Sequence, residues 1–525
     1  MTIAVSIVVS VVAASCSSMT TAVSAAKVFE TSVPCARMVL APVIINVTQE
    51  LLSSRPSSDD PTGVIANATD HLVNERREEG TLRIVNCSLT QPVSLLVRSM
   101  TSFAGDAILL FLKQTISLEG VTVSGAGGVT LTPDQTGNSG AVSDVHVSLI
   151  NSVVNITNGG HFLSWISSAV SDSYENVSLS VANSTVSLTD RETGRPMSVL
   201  CIVPLAVTSP NATFLRMTAV QHSIVRSHVT ISASPRGGSV CALGVSPPST
   251  GGLRGLTLTN VSIVGDHSTV AVDAKGADTA AALGYYATGE VQATGLYMRV
   301  FRCQLVTTGS TRGSTSLGIV GSGVTIRLAA VNVDRESNVS STGQWLVTSA
   351  GIAVTGQLDL AVELDDVTLN VSGGSTVFSQ GAYVIASLGV AMLSHYYGGS
   401  CTATNAIFSV AEGSSVTSAG NTAVSSMGFS LTTGTGATIR VTNATLLSEN
   451  SSMIHAEGFR VVSSMGWASW GKASSLSLSD VRIAVLSNST VNGRATGDVL
   501  GNLGVAHFGD AANVTITRVT WLVHG

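Results

Sequence analysis

The amino-acid sequence predicts an all-β fold, a right-handed parallel β-helix of about ten to eleven coils with a period near 37 residues. Three observations lead to this prediction. A short apolar phrase centred on one glycine recurs at a nearly constant interval, period-2 strand segments recur with it, and the composition favours strands over helices. A steady repeat of this length is typical of a solenoid, in which each repeat stacks on the next.

The glycine phrase consists of a small residue, an apolar residue, glycine and a second apolar residue; residues 387–390, for example, read Ser-Leu-Gly-Val. Successive glycines lie 33 to 40 residues apart. A glycine repeated at one place in a strand repeat indicates a bend or a close approach between backbones. The glycines concerned are Gly244, Gly284, Gly318, Gly351, Gly389, Gly428, Gly466 and Gly504.

A second phrase keeps the same interval: alternating apolar residues end in Asn or Asp and are followed by another alternating run. Asn and Asp tolerate the left-handed backbone conformation of a tight corner. One repeat therefore contains several strands separated by turns. The slot is clearest at Asn260, Asn405, Asn443 and Asp480, is weaker at Asn151, Asn183, Asn332 and Asp366, and holds Arg302 and Thr520 in two further repeats.

The composition supports strands and limits the function. Charged residues make up 11% of the chain, well below the usual ~25%. The apolar share of 44% and the mean hydropathy of +0.40 exclude a disordered linker, because enough apolar surface is present to form a core. The formal net charge of -6, without any basic run, excludes nucleic acid as a partner.

A parallel β-helix fits this repeat better than two other repeat folds. Leucine-rich repeats are shorter, and propeller blades need hairpin turns such as Asn-Gly, which are scarce here. Strands that recur at a fixed interval pair in parallel with their equivalents one coil on, about 4.8 Å away. Within each coil we expect Leu, Val and Ile to face inward and Ser and Thr to face outward.

Three segments are predicted. Residues 1–15 resemble a secretory signal peptide, with an apolar stretch at 3–14 followed by small residues. An uncleaved anchor, a buried strand and a bacterial lipoprotein site at Cys16 are alternatives. Residues 16–80 are predicted to form an irregular N-terminal cap with a short helix at 64–79, and residues 81–525 form the β-helix.

Asn-x-Ser/Thr sequons are the strongest local signal, and they predict N-glycosylation if the chain enters a eukaryotic secretory pathway. Part of their abundance follows from the corner pattern of Asn before a Thr-rich strand. The candidate sites are Asn46, Asn67, Asn86, Asn155, Asn176, Asn183, Asn211, Asn260, Asn338, Asn370, Asn443, Asn450, Asn488 and Asn513.

The cysteines allow a test of the stacking. Cys201 and Cys241 are 40 residues apart, so we predict that they occupy equivalent places in adjacent coils, within disulfide reach. Cys303 and Cys401 are not expected to pair, whereas Cys35 and Cys87 could join the cap to the first coils. Seven cysteines are compatible with a secreted protein.

No motif predicts catalysis, a metal site or a cofactor. Asp365 and Asp366 are adjacent, but Asp366 occupies the corner slot and is interpreted as a turn residue. The histidines lack metal-ligand spacing, and no C-x-x-C pair occurs. Trp467 and Trp470, with the tyrosines at 396 and 397, are interpreted as core or corner residues, with an exposed aromatic patch as the alternative.

The layered Val-x-Leu-x-Asn-Val-Ser repeats, the dense sequons, the Ser, Thr, Gly and Val bias and the N-terminal signal resemble the large surface proteins of kinetoplastid protists, notably the dispersed gene family. The resemblance covers about residues 81–525. It implies a pectin-lyase-like β-helix at the membrane and an adhesive function. The transmembrane C-terminal region expected of that family is not found in this sequence.

We therefore expect a non-enzymatic glycoprotein, secreted or associated with the plasma membrane, whose rigid rod serves adhesion. Its expected partner is a protein or glycan on a host, prey or neighbouring cell. Membrane association would use a region beyond this chain or the N-terminal apolar segment. The alternatives are a carbohydrate-active β-helix enzyme of the pectate lyase or glycosidase kind, and a bacterial surface adhesin. Three or more clustered carboxylates or bases on one face would favour the enzyme.

Overall fold

In the computed structural model the chain is an all-β solenoid of parallel strands, with no helix among the described residues. The predicted fold is confirmed. The description covers residues 44–46, 79–85, 88–89, 92–97, 113–125, 128–133, 139–157, 162, 164–167, 171–190, 197–204, 213–233, 239–245, 253–356, 360–394, 398–435, 438–472, 475–508 and 513–524.

Sheet A has 13 strands, one from each coil it crosses. Its long central strands carry the glycine phrase. The strands are β1 Ile44–Asn46, β4 Pro92–Val97, β7 Gly128–Pro133, β11 Ser164–Ser167, β15 Met197–Pro204, β19 Ser239–Val245, β23 Thr279–Tyr286, β26 Gly313–Gly321, β29 Leu346–Gly356, β32 Val384–Ser394, β36 Ala423–Thr435, β40 Val461–Lys472 and β44 Val499–Phe508.

Sheet B has 21 strands, because most coils cross it with two short strands and three coils cross it with one long bent strand. The strands are β2 Glu79–Val85, β5 Lys113–Glu119, β8 Ser139–Ser143, β9 Val145–Ile150, β12 Ser171–Glu175, β13 Ser178–Ala182, β16 Thr213–Thr218, β17 Gln221–Val225, β20 Leu253–Thr259, β21 Ser262–Asp266, β24 Glu290–Phe301, β27 Gly323–Asp334, β30 Leu360–Val371, β33 Gly399–Thr404, β34 Ile407–Val410, β37 Thr438–Thr442, β38 Thr445–Ser448, β41 Ser475–Ser479, β42 Arg482–Leu486, β45 Asn513–Thr517 and β46 Thr520–His524.

Sheet C has 12 strands and follows sheet B in each coil. The strands are β3 Ser88–Leu89, β6 Thr122–Gly125, β10 Val153–Thr157, β14 Thr185–Asp190, β18 His228–Ala233, β22 Thr269–Ala274, β25 Gln304–Ser310, β28 Asn338–Gly343, β31 Thr376–Gln380, β35 Ser415–Gly420, β39 Met453–Gly458 and β43 Thr490–Ala495.

The predicted number of coils was wrong. The 13 strands of sheet A exceed the ten to eleven expected coils. The first coils lie within the predicted β-helix at 81–525 but were left out of the count because they lack the regular repeat; β2 and β5 nevertheless pair in register over seven residues. The segment predicted as a cap also contributes β1, which pairs with β4 in sheet A. The signal peptide at 1–15 lies outside the described residues, as does the helix predicted at 64–79 except for Glu79, which begins β2.

The Asn/Asp slot combines two different corners. At the first corner, between the two strands of sheet B, each described coil from β8 onward places one residue with positive φ, as at Asn260, Asp366, Asn405, Asn443 and Asp480. At the second corner, between sheets B and C, Asn151, Asn183 and Arg302 have positive φ. Asn332 is at neither corner, because it lies inside β27 and pairs with Arg299 and Asn370. Thr520 begins β46, two residues after the corner residue Arg518.

Leu, Val and Ile face the interior as predicted, but serine also lies inside. A serine lines the second corner in nine of the described coils, and all nine are buried except Ser489. In every case but Ser452, the serine Oγ accepts the backbone N–H of the equivalent residue one coil before, at 3.0–3.2 Å. Seven of the nine hydroxyls also donate to carbonyls of their own turns. We call this set the serine ladder: Ser152, Ser184, Ser227, Ser268, Ser337, Ser375, Ser414, Ser452 and Ser489.

The glycine phrase is explained by close backbone contact. Its eight glycines stack in register through sheet A. A Cβ on Gly389 would lie 1.9 Å from the carbonyl oxygen of Gly428, and one on Gly351 would lie 2.0 Å from that of Gly389. Several of the eight also have positive φ, as at Gly244 and Gly428. Only glycine fits such a column.

Candidate functional site

The candidate site is the third corner, where sheet C ends and sheet A begins. In the later coils this connection is only two or three residues long; β31 ends at Gln380 and β32 begins at Val384. The serine of the glycine phrase fixes the turn, because its Oγ donates to a carbonyl of sheet C. Ser387 Oγ lies 2.5 Å from the carbonyl oxygen of Thr417, and Ser316 Oγ lies 2.5 Å from that of Ser340.

A second glycine column forms the base of this corner. It contains Gly343, Gly381, Gly420 and Gly458. A Cβ on Gly420 would lie 2.0 Å from Cδ1 of Ile385, which belongs to a small apolar cluster behind the corner. Because these positions have no side chain, the corner packs closely on that cluster and leaves a depression on its outer side.

The depression continues from coil to coil as a groove of about 1200 Å³. It extends from Ser310 past Gly343, Gly381, Gly420 and Gly458 to Thr496. These positions belong to six successive coils, so at about 4.8 Å per coil the groove is about 24 Å long and parallel to the solenoid axis. We call it the corner groove.

Aromatic rings and side-chain amides line the corner groove. Tyr383 is 41% exposed and Phe459 is 51% exposed, two coils further on. Trp345, 36% exposed, stacks against Tyr383 with ring centroids 4.9 Å apart and itself lines a neighbouring cavity of about 470 Å³. Gln344, Gln380 and Asn421 contribute exposed amides.

The lining carries little charge. Its two charged residues, Glu457 and Arg460, have opposite signs. The carboxylate of Glu457 lies 3.6 Å from Nη1 of Arg494, and the guanidinium of Arg460 lies over the ring of Trp470, 5.0 Å from its centroid. The corner groove is therefore close to electrically neutral.

A smaller depression of about 260 Å³ lies on the outer face of sheet B. It brings together Arg327, Glu363 and Asp365. Arg327 pairs in register with Asp365, and the amide of Asn405 donates to Asp365 Oδ1 at 3.4 Å. Asp366, at the corner, has a φ of 54°, as expected of a turn residue. Two carboxylates and one guanidinium thus share one face.

Ten of the sequon asparagines have described side chains: Asn155, Asn176, Asn183, Asn260, Asn338, Asn370, Asn443, Asn450, Asn488 and Asn513. Asn370 is half-buried and accepts a hydrogen bond from Ser409, whereas the other nine are exposed. All ten belong to sheets B and C or to their corners, and none lines the corner groove. Asn46 ends β1 in sheet A; Asn67, Asn86 and Asn211 lie outside the described residues.

Cys201 and Cys241 are neighbours, but not at equivalent positions. The register pairs Cys201 with Gly244 and Ser198 with Cys241, an offset of three residues. The predicted equivalence was wrong, because the register between these two coils differs from the alignment by spacing along the chain. The structure holds both as thiols, and Cys201 Sγ donates to the carbonyl oxygen of Cys241 at 3.3 Å. Cys35 and Cys87 lie outside the described residues.

Of the aromatic residues singled out in the sequence, the two described tryptophans do not form an exposed patch, because Trp467 is buried and Trp470 is half-buried. Trp467 is fully buried and stacks on Phe429 at 5.9 Å, as the interpretation as core expects. Residues 395–397 are outside the described part of the chain. The exposed rings in and beside the corner groove were missed, since Trp345, Tyr383 and Phe459 share no sequence motif. Their spacing by multiples of 38 residues was the available signal.

Two features are absent from the residues that the structure describes. Those residues contain no group of three or more His, Cys, Asp and Glu side chains able to hold a metal ion. The same part of the chain has no helix long and apolar enough to cross a membrane. His222 is fully buried beside Tyr285, with His222 Nδ1 3.5 Å from the tyrosine hydroxyl, and burial lowers its pKa to about 3.

Comparison of the chain with protein-family models, curated proteins and solved structures gave no match. The function is therefore argued from the site alone.

Proposed function

We propose that this chain is a non-enzymatic glycoprotein, secreted or held at the cell surface, whose β-solenoid rod serves adhesion through the corner groove. The observation that carries the proposal is the contrast between the groove and the sequons. The described sequon asparagines are distributed over sheets B and C and their corners, whereas the corner groove contains none of them.

This distribution matters because an N-linked glycan is bulky and keeps large partners away from the surface around it. Nine of the ten described sequon asparagines are exposed, so glycans there fit the folded rod. Asn443 donates through Nδ2 to Asn405 Oδ1 at 2.7 Å. A glycosylated amide keeps one N–H, so this hydrogen bond is compatible with modification. Glycans would cover the other faces and leave the groove accessible.

The groove chemistry supports binding without catalysis. Hydrolysis of a glycosidic bond by the usual route needs two carboxyl groups about 5–9.5 Å apart across the bond. The lining of the corner groove includes one carboxylate, Glu457, and that group is engaged with Arg494. The resemblance to kinetoplastid surface proteins agrees with this proposal, and membership of that family remains part of it.

The alternative of a carbohydrate-active enzyme is favoured by one observation, the depression with Arg327, Glu363 and Asp365. Two carboxylates two residues apart on one strand project from the same face, about 7 Å from each other. The test is hydrolysis or elimination of polygalacturonate and neutral polysaccharides by the purified chain. Activity that disappears in Glu363→Gln and Asp365→Asn would replace the non-enzymatic proposal.

The main proposal is tested by expressing the full chain in a eukaryotic secretory host. We expect a secreted protein whose intact mass falls after enzymatic removal of N-glycans, with a mature N-terminus near residue 16. The labelled protein should bind to cultured cells, and Phe459→Ala should weaken that binding. An unprocessed and unglycosylated chain that binds to no cell would overturn the proposal.

A further inference from the structure

We propose that the corner groove binds a neutral oligosaccharide chain, which lies along the solenoid axis across several coils with sugar rings packed on Tyr383 and Phe459. This inference rests on the proposed function, because it names the ligand class of the adhesive site. It is carried by four properties of the groove: its shape, its aromatic rings, its amides and its charge.

The shape and the rings fit a linear ligand with apolar faces. The groove is about 24 Å long, continuous over six coils and open along its length. Tyr383 and Phe459 are two coils apart, so about 10 Å separates them along the axis. Each ring is about half exposed. The C–H face of a pyranose ring packs on an aromatic face, and Trp345 supports Tyr383 from behind by stacking.

The amides fit a ligand covered with hydroxyl groups. Gln344, Gln380 and Asn421 are exposed in the groove, and their side chains have no hydrogen-bond partner in the part of the chain that the structure describes. Each amide offers both donors and an acceptor. A sugar hydroxyl is likewise donor and acceptor, so one ligand chain can satisfy amides in successive coils.

The charge argues against acidic polymers. A polyanion needs several cationic groups along its path, but the described lining of the groove supplies one, Arg460, and also carries the carboxylate of Glu457. Phosphate, sulfate or uronate groups repeated along a ligand would therefore find no partners. A neutral chain suffers no such penalty.

The backbone argues against a peptide bound as an added strand. That mode needs unpaired N–H and C=O groups on a strand edge. Along the corner the backbone is already bonded from coil to coil: the N–H of Ala382 donates to the carbonyl of Gln344 at 2.8 Å, and that of Arg460 donates to the carbonyl of Asn421 at 2.9 Å. The ligand is therefore bound by side chains and not by strand addition.

The test uses the purified full chain and isothermal titration calorimetry. The probes are cellohexaose, xylohexaose, mannohexaose, laminarihexaose and chitohexaose, with hexagalacturonate and a ten-residue polyproline peptide as competing classes. We expect at least one neutral hexaose to bind with a Kd on the order of 0.1 mM, with weaker binding of the corresponding disaccharide and little dependence on salt.

Two variants connect binding to the groove. Phe459→Ala and Tyr383→Ala should each weaken binding of that hexaose about five- to tenfold, because each removes one stacking surface. The matched control is Phe214→Ala in β16 on sheet B, where an equally exposed phenylalanine lies far from the groove. The unfolding temperature of each variant should remain that of the wild type, so that lost binding is not lost folding.

Several results would overturn the inference. One is the absence of binding by all five neutral hexaoses at about 5 mM. Another is a Phe214→Ala variant that binds the hexaose as weakly as the two groove variants. The others are tighter binding of hexagalacturonate than of any neutral hexaose, and binding of the polyproline peptide with no binding of a hexaose. A separate assay distinguishes failure of the inference from failure of the proposed function. If cell binding survives periodate oxidation of the cell-surface glycans, the chain is adhesive but its ligand is not an oligosaccharide. If the chain binds a hexaose but is not secreted, the oligosaccharide ligand is supported and the function as a secreted or surface protein is rejected.

Discussion

The first and second corners both change the direction of the backbone in a tight turn, but they use different side chains. Both turn the chain through residues with positive φ. At the first corner the turn residue varies from coil to coil: Asn260, Leu328, Asp366 and Arg518 all occupy the column. At the second corner the residue that follows the turn on the inside is serine in most of the described coils, as in the serine ladder, and Val121 and Cys303 are exceptions.

The difference follows from burial. The first-corner side chains lie at the surface, where water replaces any missing partner; Asn443 bonds Asn405 there, but nothing buried depends on it. At the second corner, serine hydroxyls such as those of Ser375 and Ser414 accept backbone N–H groups that are buried away from water. An unmet buried N–H costs about 1–3 kcal/mol. The interior therefore requires one residue type, and the surface does not.

The largest expected effect comes from a glycine with no space around it. Gly389→Ala would place Cβ 1.9 Å from the Gly428 carbonyl oxygen, so we expect a loss of more than about 4 kcal/mol of unfolding free energy, or failure to fold. The control is Gly413→Ala at the second corner, where φ is +71 and a Cβ meets nothing within 4 Å. Conformational strain alone should cost about 1–2 kcal/mol there. Equal losses in denaturant unfolding would contradict the explanation by close stacking.

The next effect concerns a buried imidazole. The pKa of His222 is about 3 in the folded chain because of burial, against about 6.5 when unfolded. Between these values only the unfolded chain takes up the proton, so stability falls as the pH falls. Relative to His222→Leu, the wild type should lose about 1.4 kcal/mol per pH unit from pH 6 to pH 4. A constant difference between the two proteins over this range would exclude a neutral buried histidine.

Two neighbouring serines test the comparison directly. Ser414 Oγ accepts the N–H of Ser375 at 3.1 Å in the interior, whereas Ser415 faces outward and bonds Thr376 at 3.3 Å. We expect Ser414→Ala to lose about 1–3 kcal/mol, because the Ser375 N–H is left without an acceptor. Ser415→Ala should lose less than about 0.5 kcal/mol. Urea unfolding of both variants measures the difference in unfolding free energy. Similar values would contradict the explanation that burial of the N–H makes serine necessary at the second corner.

The smallest effect is expected at the irregular position of the ladder. Cys303 accepts the backbone N–H of Ser268 through its sulfur and bonds the Phe301 carbonyl at 3.4 Å. Cys303→Ser should change the stability by less than about 1 kcal/mol, since a hydroxyl makes the same bonds. Cys303→Val, which removes the acceptor at similar volume, should lose about 1–3 kcal/mol. A more stable valine variant would show that the sulfur contributes only packing.

The sequence was sufficient for the fold, because the features that define it repeat. The glycine phrase returned at every coil from Gly244 to Gly504, and the structure stacks those residues in register. Alternating apolar residues predicted the strands, as in β9, where Val145, Val147 and Leu149 are buried. Each of these signals depends on local geometry that every coil must satisfy.

The features that could not be predicted depend on the register between coils, which spacing along the chain does not determine. The offset of Cys201 from Cys241 arises because coils differ in length, and the slot combined two corners because both prefer Asn. The sequence does not distinguish serines that face the interior from serines that face the solvent. The corner groove was not predictable, because Tyr383 and Phe459 line one groove only when the stacked coils bring their rings to the same edge.

The direction of the hydrogen bonds determines how the rod responds to force. Backbone bonds between coils, the serine ladder and the glycine column all connect one coil to the next along the solenoid axis. Tension along the axis therefore pulls these bonds apart end to end, and the coil with the fewest of them yields first. A ligand bound in the corner groove would contact several coils and connect them. A bound ligand would therefore raise the force needed to separate the coils along the axis, which is the direction of the tension that adhesion applies.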